Sequence, residues 1–235
     1  MFVKIQKCRV YSVYFLPTSL SLFASLAILK PMHLKSIIDK YPILKKIIHR
    51  LLIPKNEARP RFWVKLFVNP FIHQRGKSSK IRTRTRMDVL PFNKFSLGSS
   101  STIEDFCTIN NGVGDVLIGN RTLIGMGNTI IGPITIGNNV IFAQNIVASA
   151  LNHQYRDVAI PIVDQAILTA PIVIEDDCWI AANAVITAGV TIGKHSVVAA
   201  GAVVTKNIAP YSVAAGNPAK VIKQYNFEAK EWLRV

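Results

Sequence analysis

The sequence predicts a mostly β chain built around a parallel β-helix, and three observations predict it. Aliphatic residues recur every six positions: Leu97, Ile103 and Ile109; then Ile118, Ile124, Ile130, Ile136 and Phe142; then Ile174, Ile180, Ile186, Ile192, Val198 and Val204. Two positions before them runs a second column, Val116, Thr122, Asn128, Ile134, Val140 and Ile146, resumed as Ile172, Cys178, Ala184, Val190, Ser196 and Ala202. All but Asn128 are small or apolar. Glycine often follows the aliphatic residue, at Gly119, Gly125, Gly137 and Gly193, where a turn should follow a strand. A helix needs a spacing near 3.6 and a strand a spacing of two, so a strict six fits neither alone. A short strand and a turn, repeated, fits it, with both columns facing a narrow interior.

With 235 residues the chain has room for one sizeable core and an appendage. The net charge of +15 is unevenly placed: residues 1–94 hold 20 Lys/Arg and 3 Asp/Glu, residues 95–235 hold 8 and 10. The expected organisation is therefore a basic amphipathic region over 1–94, a β-helix over 95–225 with an external loop at 149–171, and a short C-terminal helix over 226–235. Charge alone points to an anionic partner for the first part only, and nucleic acid is the weakest such partner. Three cysteines, Cys8, Cys107 and Cys178, are too few and scattered for a disulfide framework or a zinc site. Cys107 and Cys178 fall in the inward column, where packing is their expected role.

Taken in order, Val10–Leu29 is a run of twenty uncharged residues, long enough to span a bilayer but interrupted by Pro17 and flanked by basic residues on both sides. Pro42–Pro54, "PILKKIIHRLLIP", has Leu44, Ile47, Ile48, Leu51 and Leu52 at helical spacing, opposite Lys45, Lys46, His49 and Arg50. Such a helix either lies on an anionic membrane surface or caps the open end of the prism. Lys80–Val89 alternates like a strand, with Arg82, Arg84 and Arg86 on one face. Residues 97–209 allow about five or six coils of three six-residue sides. Ala148 to Ile174 is 26 residues, not a multiple of six, so the chain leaves the coil over roughly Asn152–Thr169 and then rejoins it. This excursion holds His153.

Pro171 to Lys223, "PIVIEDDCWIAANAVITAGVTIGKHSVVAAGAVVTKNIAPYSVAAGNPAKVIK", resembles the hexapeptide-repeat acyltransferases, and most the maltose, galactoside and polysaccharide O-acetyltransferases. The resemblance implies a left-handed β-helix, a homotrimer, and acetyl-CoA bound in the groove between neighbouring subunits, with no metal required. It implies that the loop histidine, here His153, is the catalytic base. A hydroxyl is a poor nucleophile at neutral pH, and imidazole can take its proton and pass it to the departing thiolate. By the same resemblance Ala182 offers a backbone N–H to the oxyanion. Trp179, Ala182, Ala200, Thr205 and Lys206 border acetyl-CoA, and Lys220 and Lys223 lie near the nucleotide phosphates. Lysine at 220 and 223 departs from the arginine common in relatives and lacks its bidentate fork. An asparagine that relatives place near Gly125 to meet the acceptor has no counterpart, because Asn128 falls in the inward column. His195, in "IGKHSV", reads as an exposed turn residue. With only His153 and His195 in this domain, a three-histidine zinc centre is hard to assemble.

The expectation is an acetyl-CoA-dependent O-acetyltransferase acting on a sugar hydroxyl of a polysaccharide or lipid-linked glycan. It would be cytoplasmic, at the inner face of the membrane. Alternatives are a xenobiotic or amino-acid acetyltransferase of the same fold, or a non-catalytic adaptor.

Overall fold

The computed structural model describes residues 40–55 and 57–235, so the Val10–Leu29 stretch lies outside them. The chain divides into units Met1–Pro42 and Ile43–Val235, and the second carries the β-helix. Six coils of three strands each follow one another. The first two comprise β1 (Gln74–Arg75), β2 (Lys80–Ile81), β3 (Arg86–Asp88), then β4 (Phe95–Leu97), β5 (Thr102–Ile103), β6 (Thr108–Asn110). The next two are β7 (Val116–Ile118), β8 (Leu123–Ile124), β9 (Thr129–Ile131), then β10 (Ile134–Ile136), β11 (Ile141–Phe142), β12 (Val147–Ser149). After an arm formed by β13 (Leu151–His153) and β14 (Ile167–Thr169), the coil resumes. It continues as β15 (Ile172–Ile174), β16 (Trp179–Ile180), β17 (Val185–Ile186), then β18 (Thr191–Ile192), β19 (Val197–Val198), β20 (Val203–Val204). First strands of all coils pair in parallel as one wall, second strands as another, third strands as the last.

The register carries the period of six into three dimensions. Ile118, Ile136, Ile174 and Ile192 stack in the first wall. Ile124, Phe142, Ile180 and Val198 stack in the second, and Ile130, Ala148, Ile186 and Val204 in the third. All twelve are buried, as is the small column beside them, Asn128 included. Burying an aliphatic side chain of this size contributes about 1.5–3 kcal/mol, and none of these faces is buried by one coil alone.

Asn128 is polar inside because the backbone there needs it. Its side-chain amide donates to the Gly125 and Ala143 carbonyls at 2.8 Å each, and its Oδ1 accepts the Ile146 N–H at 2.6 Å. Cys107 and Cys178 keep to the packing role, donating to the carbonyls of Gly125 and Gly193 in the adjoining coil. Burial raises both thiols, Cys178 to about 11.

The glycines after the aliphatic column are explained differently from the turn reading. None of the four has a positive φ. A Cβ at Gly119 would lie 2.5 Å from the Gly137 carbonyl oxygen, and one at Gly125 2.6 Å from that of Ala143, so closeness of the next coil excludes side chains there. The left-handed corner residues come two positions later, at Arg121, Asn139, Asn145, Asp177, Asn183 and His195. One corner is also stitched by side chains. The Ser99 N–H donates to Asn120 Oδ1, the Asn120 N–H to Asn138 Oδ1, and the Asn138 N–H to Asp176 Oδ1. Accepting that N–H and the Asn138 amide holds the Asp176 carboxyl below its usual range.

Three expectations are corrected. The β-helix begins at Gln74, not near 95, because Ile81 and Met87 are already the inward residues of a first coil, paired with Ile103 and Ile109. Lys80–Val89 is consequently two short strands on two walls with a turn between, and its arginines do not share one strand face. Arg82 meets Glu104 at 3.4 Å, Arg84 lies over the Phe106 ring at 5.7 Å, and Arg86 meets Asp88 at 2.8 Å. The C-terminal residues form no helix. β21 (Ser212–Ala215) joins the second wall, and β22 (Lys220–Asn226) and β23 (Glu231–Arg234) extend it antiparallel. The turn between them is fixed by Asn226 Oδ1, which accepts the N–H groups of Glu228 and Ala229, and by Lys230 at φ 55°. Tyr225 and Trp232 then meet across the strands with centroids 5.4 Å apart.

At the N-terminal end α1 (Pro42–Leu52), α2 (Phe62–Phe67) and α3 (Asn69–Ile72) precede the first coil. α1 does not cap the prism in the expected way, since none of its residues is buried. His73 follows α3, with its ring edge-on to Phe95 at 6.0 Å and both ring nitrogens buried without a partner. Desolvation lowers its pKa to about 4.

Two predictions test this account. Asn128→Leu keeps the branched side-chain shape but leaves the Ile146 N–H unpaired, and should cost about 3 kcal/mol in denaturant unfolding; a variant as stable as the parent would remove the polar role. For His73 the unfolded chain binds the proton more readily, so stability is retained above about pH 6.5 and lost as pH falls toward about 4. His73→Phe should therefore gain on the parent by about 1 kcal/mol between pH 7.5 and pH 5, allowing for the ring's partial solvent contact. Parallel pH profiles for the two proteins would refute it.

Candidate active site

The break in the period is a hairpin arm mounted on a corner. Ala150 accepts the Ala170 N–H at 3.0 Å, closing the base of the arm, and β13 and β14 pair above it with His153 opposite Ile167. The arm reaches away from the core: Asn152, His153 and Tyr155 are exposed, and its tip turns through a 3-10 segment at Ile162–Asp164. Asp157 accepts the Ala159 N–H and so shapes this tip. Among the described residues no side chain hydrogen-bonds the His153 imidazole, and neither Asp157 nor Asp164 orients it within the single chain.

Thr205 and Lys206 leave the third wall at the same corner from which the arm springs, two coils further on. The Thr187 N–H reaches the Val204 carbonyl, and the Gly189 N–H reaches Ala170 at the arm's base. Ala182 and Ala200 occupy the next corner. They stack directly, the Gly201 N–H donating to the Ala182 carbonyl at 2.9 Å. Gln144 lies below them in the same column, its carbonyl taking the Asn183 N–H. Among the described residues no carbonyl accepts the Ala182 or Ala200 N–H, which leaves both as donors at an open ledge. The small side chains keep that backbone within reach of a ligand.

Trp179 stands on the outer face of the second wall, half-exposed, in a row that register defines: Leu123, Ile141, Trp179, Val197, Val213 and Lys223 are successive cross-strand partners. Three interstrand steps separate Trp179 from Lys223, about 14 Å. Lys220 and Lys223 are an odd number of residues apart, and on a regular strand they would face opposite ways. The pairing skips Ile222: Val213 faces Lys223, Ala214 faces Val221 and Ala215 faces Lys220. This bulge brings both lysines to the outward side, at the end of the Trp179 row. The turn before them is pinned by Val203, whose N–H donates to Gly216 and whose carbonyl accepts the Ala219 N–H.

The structure therefore assembles two clusters. Trp179, Ala182, Ala200, Lys220 and Lys223 border one wall and its ledge; His153, Thr205 and Lys206 share the next corner, with the third wall between. His195 is exposed at its turn, with its ring stacked on Tyr211 at 5.6 Å. Gln144 and the Ile222 bulge were not singled out from the sequence. The first carries a signal, since it precedes Ala182 by the loop plus two hexads; the second carries none. Among the described residues no three His, Cys, Asp or Glu side chains gather as a metal site.

Comparison with known proteins agrees with this architecture. Residues 171–206 match the bacterial transferase hexapeptide (six repeats) family, and residues 115–149 match the hexapeptide repeat of succinyl-transferase. The chain is 33% identical over 181 residues to a Mycobacterium tuberculosis protein named "Probable acetyltransferase Rv3034c", covering 72% of this chain and 59% of that protein. The chain thus spans less than two thirds of that relative's length. A mutant of AntD, an N-acyltransferase from Bacillus cereus, in complex with dTDP-4-amino-4,6-dideoxyglucose and coenzyme A, superposes with a TM-score of 0.57 at 20% identity, covering 66% of this chain and 86% of the other. AntD with dTDP and 3-hydroxybutyryl-CoA gives 0.56 at 20% identity, over 66% and 85%. These two share the fold. The repeat, its walls and both matched segments agree: residues 115–149 and 171–206 are hexapeptide repeats of the kind those two families describe, wound as a β-helix.

Proposed function

We propose that this chain transfers an acetyl group from acetyl-CoA to a sugar hydroxyl, with His153 as general base. The observation that carries the reading is the arm: the one long departure from the coil in residues 116–204 presents an exposed imidazole beside a prism whose neighbouring corner offers two unpaired backbone N–H groups. The acetyltransferase name of the mycobacterial relative supports the reaction.

In this reading the lysine pair holds the nucleotide phosphates and the Trp179 row guides the pantetheine arm toward the Ala182–Ala200 ledge. The acceptor oxygen attacks the thioester carbonyl as His153 Nε2 or Nδ1 takes its proton. The oxyanion is met by a ledge N–H, the carbon–sulfur bond breaks, and the imidazolium returns the proton to the thiolate. Buried, raised thiols make Cys107 and Cys178 unsuited to carry an acyl group, which favours direct transfer.

Because one wall of a coil separates His153 from the ledge, the site is completed by a second copy, whose arm meets the ledge of the first. A cyclic trimer satisfies this with three equal sites. The acceptor is placed on a membrane-proximal glycan, as the basic N-terminal part supports.

His153→Ala should lower acetyl transfer to an oligosaccharide acceptor by about 100-fold or more while leaving KM for acetyl-CoA nearly unchanged. Equal turnover would remove the base. Lys220→Glu with Lys223→Glu should raise that KM. Each variant alone is then inactive at low acetyl-CoA, and mixed refolding of the two should restore part of the activity. Absence of any restoration, with mixed oligomers formed, would place the whole site within one copy.

A further inference from the structure

The N-terminal helices leave most of their large apolar side chains exposed. In α1, Ile43, Ile47 and Leu51 recur at four-residue spacing and are 78%, 50% and 58% exposed. His49, on the opposite side of the helix, stacks on Phe92 with ring centroids 4.8 Å apart. An amphipathic helix on a protein surface in water does the reverse, turning its apolar stripe inward. Arg61 ties the next helix to this one, its N–H donating to the Leu52 carbonyl and its guanidinium to that of Arg50. In α2 only Val64 is buried, and Phe62, Leu66 and Phe67 are exposed, as is Phe71 in α3. So much large apolar surface on linked elements exceeds scattered exposure and calls for a cover.

Charge decides what the cover is. Residues 40–72 hold eight Lys/Arg and one acidic residue, Glu57. A second copy would bring the same positive field to the contact. Residues 1–39, with five Lys/Arg and one acidic residue, are basic as well. A lipid surface of negative headgroups answers both the apolar face and the cations. Beside α2, moreover, Arg59, Lys65, Arg84 and Arg86 line a recess of about 260 Å³ whose one acid is Asp88. Asp88 is buried, with one carboxylate oxygen on Arg86 Nε at 2.8 Å and the other unpartnered, so the recess keeps a surplus of positive charge. Lys65 follows Phe62 by three residues, which puts cation and ring on adjoining parts of one helix side.

We propose that this end of the molecule docks on an anionic bilayer, with the exposed α1–α3 side chains entering the interface and Arg59, Lys65, Arg84 and Arg86 holding the phosphate of a lipid headgroup. No helix among the described residues is long and apolar enough to cross a membrane, and the docking proposed here is a contact of α1–α3 with the bilayer surface. It fixes where the proposed transfer takes place but does not depend on that reaction.

The test is co-sedimentation of the full chain with vesicles of phosphatidylcholine alone, or of phosphatidylcholine and phosphatidylglycerol in equal parts. Binding should be about tenfold stronger to the anionic vesicles and fall with salt. Ile47→Asp with Phe62→Asp, and separately Lys65→Glu with Arg84→Glu, should each weaken it by about tenfold or more; all four side chains are exposed, and unchanged thermal midpoints verify folding. Undiminished binding by both variants would overturn the proposal and assign the contact to residues 1–39. Equal binding to neutral vesicles would overturn it too. So would release by millimolar inorganic phosphate at matched ionic strength, which marks a free-anion site, or self-association that the Asp variant abolishes while vesicle binding is absent. Transfer by soluble enzyme to a soluble acceptor is read separately, so failure of docking and failure of the proposed reaction are distinguishable.

Discussion

Everything in this molecule follows from how closely one coil lies on the next. Parallel strands in adjacent coils are joined by backbone hydrogen bonds of 2.8–3.0 Å, as from Ile141 to Cys178, Ala143 to Ile180 and Trp179 to Ser196. At that spacing the interior has no room to vary in width. The inward columns are filled mostly by isoleucine, valine and smaller residues, and Gly119 and Gly125 must lack side chains because a carbonyl of the next coil occupies the place. Asn128 obeys the same constraint by another route. Where the ladder would leave an N–H and two carbonyls poorly served, its amide serves them all.

A prism so constrained has freedom only at its corners and ends, and that is where the proposed site lies. The corners accept left-handed backbone, polar ladders such as Asn120–Asn138–Asp176, and the whole arm that bears His153. The ledge at Ala182 and Ala200 is rigid because the buried strands on either side of it are. In the proposed reaction a base on the arm and donors on a rigid ledge would divide the two demands of acyl transfer, mobility for the acceptor and preorganisation for the oxyanion.

The repeat, its inward columns and the break at His153 were legible in the sequence because each depends on a strict count of residues. The first coil was hidden: its column begins at Arg75, a charged residue at the open end, and a segment without a hexad separates Met87 from Leu97. The C-terminal strands were misread as helix because ten residues give too short a window, and the Asn226 turn acts through backbone N–H groups that no pattern displays. The same holds for Lys220 and Lys223. Their positions were legible from family resemblance, but that both face outward rests on the unpaired Ile222, a matter of register and not of composition.

The C-terminal hairpin also sets the molecule's size. A solenoid of identical coils has no intrinsic end, and any exposed last coil is a template on which a further parallel strand can polymerise. Here the second wall stops being parallel at β22, and two antiparallel strands follow. The last strands of the other two walls, β18 and β20, are covered by the chain that follows: Ile208 bridges Ile192, and Gly216 and Ala219 bond Val203. Reversal of direction on one side, and covering residues on the others, give the filament-like architecture a terminus.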